Sequence, residues 1–235
     1  MCGRYSLFVS PAELNRRFDV RVGDAYEPRY NAAPGQSLPV ITDAESDRLS
    51  TAEWGLVPPW ADDDGEGKHI NARAETVAER PSFQAAFERT AGGRCLVPAD
   101  GFYEWTDRDG ATQPYRVARE DGAPFAMAGL YSRFEPATAQ AGLDAFGDGD
   151  PTVTTEPIET FTIVTTEPND LVAELHHRMA VILPREAERE WLTASPERAR
   201  QLLDPSPADP LEAYPVSQAV NDPANDTPAV VEPLE

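Results

Sequence analysis

Residues 94–131 carry four strand-like runs separated by little more than turn chemistry. Arg94-Cys95-Leu96-Val97-Pro98 is an apolar run of strand length, and Gly101-Phe102-Tyr103-Glu104-Trp105 follows almost at once. Asp109-Gly110 is a hairpin dipeptide, and runs at 115–118 and 125–131 complete a meander. Connections this short favour antiparallel pairing, because parallel neighbours need a long crossover. Further runs at 38–42, 48–54, 180–183 and the β-branched 161–166 bring the strands above six. With few helices between them, the expected architecture is a mainly antiparallel, curled sheet.

The helices are short and locally signalled. Ser10-Pro11-Ala12-Glu13 supplies a capping serine, a first-turn proline and a glutamate three residues after the cap, and Leu14 and Phe18 then share one face. A second helix opens near Pro81, with Phe83 and Phe87 on its buried side; helical patches are expected at 169–174, 186–191 and 196–203. Residues 29–36 read as a loop whose Pro34-Gly35 pair makes a turn. Trp54-Gly55-Leu56-Val57-Pro58-Pro59-Trp60 is either core packing or a rigid aromatic shelf. Residues 135–160 lack apolar periodicity and read as a flexible surface insertion, and 204–235 as a Pro-rich acidic tail in which 214–217 and 219–221 could add an edge strand. No linker or internal repeat divides residues 1–235, so one domain is expected.

Charge narrows the partners. The chain has 41 acidic and 20 basic residues, a net charge of -21, and Lys68 is its one lysine. Acidity repels polyanions. Yet acids spread through loops such as Asp62-Asp63-Asp64-Gly65-Glu66 fit a general, halophile-like adaptation to a salty cytoplasm better than a statement about one site. In molar salt, attraction to phosphates is weak, so a DNA binder would lean on stacking, hydrogen bonds, pocket shape or a covalent bond. No run reaches the ~18 apolar residues of a membrane span, and no basic region precedes an apolar run near the start. A cytoplasmic protein in a reducing compartment is expected: Cys2 and Cys95 form neither a disulfide framework nor a C-x-x-C pattern.

Candidate chemistry begins at Met1-Cys2-Gly3-Arg4. Methionine is normally trimmed before a residue as small as cysteine, which leaves an α-amine and a thiol on one residue. The amine condenses with an aldehyde to an imine, and the thiol closes on it as a five-membered thiazolidine, an intramolecular step. Ordinary values of about 8 for the amine and about 8.5 for the thiol leave some of each deprotonated near neutrality. Glu104, between Tyr103 and Trp105, is either a paired or solvated carboxylate or a general acid/base beside an apolar wall. His176 and His177 point opposite ways if extended, so at most one need face a site. Asn71 and Arg73 share a face, either orienting a polar substrate or simply preceding the next helix. Phosphate-cradling glycine loops, H-E-x-x-H, zinc clusters and G-x-S-x-G are missing, so no metal or cofactor is expected.

Six motifs occur in order: Met1-Cys2-Gly3-Arg4-Tyr5, Arg29-Tyr30-Asn31-Ala32-Ala33-Pro34, Trp54-Gly55-Leu56-Val57-Pro58-Pro59-Trp60, Ile70-Asn71-Ala72-Arg73-Ala74-Glu75-Thr76, Phe102-Tyr103-Glu104-Trp105 and Leu175-His176-His177-Arg178-Met179. Together they resemble the SRAP family, the SOS-response-associated peptidases now understood as abasic-site processing proteins, with a weaker echo at 216–225. The resemblance implies a single α+β domain on a curled, barrel-like sheet, acting as a monomer on single-stranded DNA near the nucleoid or replication fork. It implies that Cys2 captures the ring-opened aldehyde of an abasic site as a thiazolidine crosslink, with AP-lyase cleavage as a side activity. Asn71 then contacts the lesion and supports Cys2, Glu104 manages protons, and His176 assists ring opening and crosslink reversal. Arg73 and Arg178 contact phosphates, Arg4, Asn31 and Pro34 line the pocket, and Trp60 is a stacking wedge.

Two other classes fit the same residues. An N-terminal-cysteine autopeptidase or amidohydrolase would use the Cys2 thiolate on an amide carbonyl, with its own amine as base and Asn71 as oxyanion donor. A non-catalytic single-stranded DNA-binding module would leave Cys2 incidental.

Overall fold

A computed structural model of the protein describes residues 2–61, 68–89, 93–108, 110–135 and 157–234. The first half runs β1 (Tyr5–Leu7), α1 (Pro11–Phe18), β2 (Arg29–Ala32), β3 (Ser37–Thr42), β4 (Ser50–Trp54), β5 (Asn71–Arg73), α2 (Pro81–Glu88), β6 (Arg94–Ala99) and β7 (Gly101–Arg108). It continues with β8 (Ala111–Arg119), β9 (Phe125–Phe134), β10 (Ile158–Thr166), α3 (Asp170–Ala173), β11 (Met179–Ala180), β12 (Ile182–Leu183), α4 (Glu188–Thr193), α5 (Pro196–Arg200) and β13 (Leu211–Pro215).

Five strands close on themselves in the order β10-β4-β3-β6-β9 and back to β10. Closure leaves this barrel no free edge. Its seams are antiparallel except where β10 meets β4, with Thr160 opposite Glu53 and Phe161 opposite Trp54. The small β5 also joins β10 in parallel, so the sheet is antiparallel in the main but not throughout. Every residue of β6 is buried, because α4 packs over it and β1 lies against it. A strand covered on both faces loses the alternation of a half-exposed one. Trp54, Phe161 and Tyr5 meet in the core, with ring centroids 5.3 Å (Tyr5 to Trp54) and 6.2 Å (Trp54 to Phe161) apart.

A second, five-stranded sheet in the order β13-β8-β7-β1-β2 carries the start of the chain. β7 and β8 form the expected hairpin, Arg108 opposite Ala111, with Gly110 at φ +82° where a side chain would be strained. Gly101 lets Arg116 lie across β7: a Cβ there would sit 2.6 Å from the guanidinium. Arg116 instead reaches Asp100 Oδ1 at 2.9 Å and Ser6 Oγ at 3.2 Å, a buried network that ties β8 to β1.

Local signals matched the helices best. Ser10 Oγ accepts from Glu13 N at 3.3 Å, Leu14 and Phe18 are buried, and Asn169 caps α3. Phe83 and Phe87 are buried on α2. Other expectations are corrected. Residues 29–32 form β2 rather than loop, because β1 pairs with them; only the turn after Ala33 remains. β10 starts at Ile158 instead of 161, since β9 extends far enough to pair with it. Residues 136–156 of the predicted insertion lie outside the described residues. Around Val181 the run 180–183 divides, β11 joining β10 and β12 joining β9. The tail is built into the fold: β13 pairs with β8, while Ala219-Val220-Asn221 is a 3-10 turn, not a strand, and Val216, Val220 and Val230 bury around Tyr103.

Candidate active site

β1 and β7 bring the first candidate pair together. Tyr5 lies opposite Phe102, and Tyr103 N donates to Arg4 O at 3.0 Å, so the antiparallel register carries residues 2–3 past Glu104. Strand alternation then sorts β7: Phe102 belongs to the main core, whereas Tyr103 and Trp105 belong to the smaller cluster under the C-terminal segment. Glu104 falls on the Phe102 side, 1% exposed. Burial pushes its carboxyl up to about 7.

Cys2 is 0% exposed. Its thiol donates a long bond to Arg4 O at 3.8 Å. Burial, and then the charge of Glu104, raise the thiol far above its ordinary range. Asn71 is brought in by β5, whose register on β10 sets Asn71 opposite Ile163. Its Nδ2 donates to Cys2 O at 3.1 Å and to Ile70 O at 2.9 Å. Asn71 Oδ1 is buried without a hydrogen-bond partner among the described residues. Such an acceptor is costly unless it is met, so it is available to a donor on a bound molecule.

His176 follows α3, and its Nδ1 lies 3.8 Å from Glu104 Oε2. Burial lowers its basicity, while the carboxyl is raised. Both shifts disfavour an ion pair between the two groups. Nδ1 is also 3.0 Å from Arg178 N and 3.1 Å from Arg178 O. An N–H donor and a carbonyl acceptor of Arg178 both face Nδ1, so either neutral tautomer finds a backbone partner there. The His177 ring lies 4.2 Å from that of His176 and is exposed.

Thus Cys2, Asn71, Glu104 and His176, drawn from four parts of the chain, form one cluster. The residues expected around it divide. Arg4 donates to Val220 O at 3.2 Å and Asn221 O at 3.4 Å. Asn31 is fully buried, and its Nδ2 lies within 3.0–3.2 Å of Val220 O, Asp222 O and Asn225 O. Both hold the C-terminal segment against the site. Asn31 is 0% exposed, so what it touches here is the C-terminal segment. Arg73 is exposed on β5 next to Asn71, and Arg178 is paired with Glu75. Pro34 is exposed at its turn. The tryptophan choice resolves both ways: Trp54 is core, and Trp60 is 62% exposed on a turn anchored where Val57 N meets Thr160 Oγ1 at 3.0 Å. Trp60 and Pro34 stand outside the cluster's hydrogen-bond network.

Sequence reasoning missed the C-terminal supports. Asp226 accepts from Tyr30 N at 2.6 Å and Asn31 N at 2.8 Å, and pairs with Arg29 at 3.2 Å. Asn221 Oδ1 accepts from Trp105 Nε1 at 2.7 Å. These contacts span 116 to 197 residues and leave no local signature; only the echo at 216–225 pointed there. Among the described residues, no group of three His, Cys, Asp or Glu side chains is placed to hold a metal ion, and no helix is long and apolar enough to cross a membrane.

Fold and cluster together define an α+β barrel protein with a buried cysteine leading into its first strand, backed by an amide, a carboxyl and an imidazole. The chain belongs to the SOS response associated peptidase (SRAP) family, whose model matches residues 1–223. It is 40% identical to the abasic site processing protein YoqW of Bacillus subtilis, over 99% of each chain. Against the abasic site processing protein HMCES of Gallus gallus identity is 31%, covering 100% of this chain and 78% of that one. Against YedK of Escherichia coli, named likewise, it is 29% with both covered in full. A crystal structure of a Bacteroides thetaiotaomicron protein matches with a TM-score of 0.83 at 27% identity, over 100% of both chains.

Proposed function

We propose that the protein processes abasic sites in single-stranded DNA by covalent capture through Cys2. The convergence of Asn71, Glu104 and His176 on Cys2 carries this reading, and the names of the relatives support its substrate. Met1 must first be removed, freeing the Cys2 amine. In the closed sugar, His176 takes the proton of the C1′ hydroxyl and returns it to the ring oxygen as the C1′–O4′ bond breaks, giving the aldehyde. The amine then attacks C1′, and Glu104, which holds its proton up to about pH 7, gives it to the departing hydroxyl, so that water leaves and an imine forms. That imine is still protonated on nitrogen; the Glu104 carboxylate takes the thiol proton as sulfur adds to the imine carbon, which leaves nitrogen neutral and Glu104 protonated again. The product is a thiazolidine, formed with loss of one water.

The order follows from the site. A thiol held protonated is a poor opening nucleophile, so the amine acts first and the thiol closes the ring. The same fact weighs against a peptidase that opens with thiolate attack on an amide. Asn71 steadies the Cys2 carbonyl and keeps its buried Oδ1 for a donor on the sugar. An imine at C1′ acidifies C2′, which accounts for strand cleavage as a side activity that thiazolidine closure suppresses.

Denaturing gels of the purified protein with an oligonucleotide bearing one abasic site test the proposal. Wild type should give a shifted covalent band, and Cys2→Ala or a retained N-terminal tag should give none. A Cys2→Ala protein that crosslinks fully contradicts it. Binding that survives in the alanine variant, with no covalent band from wild type, would favour a non-catalytic module.

A further inference from the structure

Glu75 and Arg178, 103 residues apart in the chain, meet as a two-pronged pair beside the cluster. Arg178 Nη1 lies 2.5 Å from Glu75 Oε1, and Nη2 lies 3.0 Å from Oε2. The arginine is built in: Nη2 also donates to Thr165 O at 2.7 Å, and the Arg178 backbone flanks His176 Nδ1. Its side chain is 12% exposed, whereas that of Glu75 is 46% exposed. The guanidinium belongs to the wall, and the carboxylate is the partner that can leave. Arg73 stands exposed two residues away. Hydrogen bonding to Arg178, reinforced by the charge of Arg73, holds the Glu75 carboxyl below its ordinary range, so it is an anion throughout the neutral region.

The Arg178 fork, with the charge of Arg73 nearby, makes an anion seat already filled from within. A carboxylate and a phosphodiester present the same pair of oxygens to a guanidinium fork. We propose that Glu75 is an internal stand-in for a strand phosphate, which an incoming phosphodiester displaces from Arg178. The carboxylate thereby weakens the hold on DNA without a lesion, leaving retention to the covalent step. This inference rests on the single-strand reading above. In a chain of net charge -21, such a device also keeps the basic rim from collecting other polyanions.

The probe is a lesion-free oligothymidylate, with binding followed by fluorescence anisotropy over a range of salt. Glu75→Gln should bind roughly threefold to fivefold tighter, which is what a half-exposed ion pair is worth. In wild type, the phosphate releases a cation from the strand while the freed Glu75 takes one up. Without that uptake, the variant's slope of log affinity against log salt should steepen by about 0.7. The gain should vanish in an Arg178→Ala background. Unchanged or weaker binding by Glu75→Gln, or a gain that persists without Arg178, overturns the proposal and leaves Glu75 as a support for Arg178. Normal adduct formation on an abasic strand beside an unaltered Glu75→Gln affinity would sink this inference alone. A wild type that neither binds oligothymidylate nor forms an adduct would remove the functional reading and this inference with it.

Discussion

Glu104→Gln should make the protein more stable, and by an amount that depends on pH. The carboxyl titrates at about 7 in the fold against 4.5 when unfolded, a rise of about 2.5 pH units caused chiefly by burial. Between those values the unfolded chain has lost a proton that the folded protein still holds, so stability falls as pH rises. The slope is about 1.4 kcal/mol per unit, which over the whole window amounts to about 3 kcal/mol. Below pH 4.5 the group is protonated in both states and the penalty is absent; above 7 it is present in full. Glutamine is neutral at every pH and escapes it. Denaturant unfolding of wild type and Glu104→Gln at pH 5 and pH 8, at fixed salt, isolates the effect, because the other titrating groups largely cancel in the difference. The variant's advantage should grow by roughly 2–3 kcal/mol between those pH values, equivalent to some 4–12 °C in Tm for a chain of this size. A difference that stays flat with pH, or a variant less stable at pH 8, would show that Glu104 is ionised and well served in the fold, and would remove it as the proton donor.

Other substitutions separate building from chemistry. Asn71→Ala should cost about 1 kcal/mol of stability through the lost bond to Cys2 O, yet slow adduct formation on the order of a hundredfold, as measured by single-turnover kinetics. Trp60→Ala should leave the melting temperature almost unchanged, since the ring is 62% exposed, while weakening oligonucleotide binding by about 1–3 kcal/mol if bases stack on it. Asp226→Ala removes the acceptor of two backbone amides and an arginine; unfolding should ease by roughly 2–3 kcal/mol, and adduct formation should slow because Arg4 and Asn31 lose their support.

What was legible in the sequence was local. The α1 cap, the β7–β8 hairpin and the buried β6 run each carry their cause within a few residues. The candidate site was legible for a different reason: Cys2, Asn71, Glu104 and His176 sit in motifs whose order is specific even though each residue alone is ambiguous. The barrel-like sheet was legible only through the resemblance those motifs carry, since the parallel β4–β10 seam joins strands on either side of the whole meander and nothing local encodes it. The C-terminal segment read as a Pro-rich acidic tail with at most an edge strand, because proline and acid dominate it. Asp226 is an acid whose partners are backbone amides of β2, and composition cannot distinguish that from a surface charge. Arg178 was expected to contact phosphate; its pairing with Glu75 was not legible, because Glu75 lies too far away in sequence to be weighed as its partner.

The central claim is that Cys2 closes a thiazolidine on an abasic sugar. Intact mass spectrometry of the protein after incubation with a single-stranded oligonucleotide carrying one abasic site, before and after borohydride, tests it most directly. The account predicts a protein lacking Met1 and a one-to-one adduct at the summed mass less one water, unchanged by borohydride. A retained Met1, an adduct that takes up two hydrogens as an open imine would, or an adduct formed equally by Cys2→Ala would contradict it.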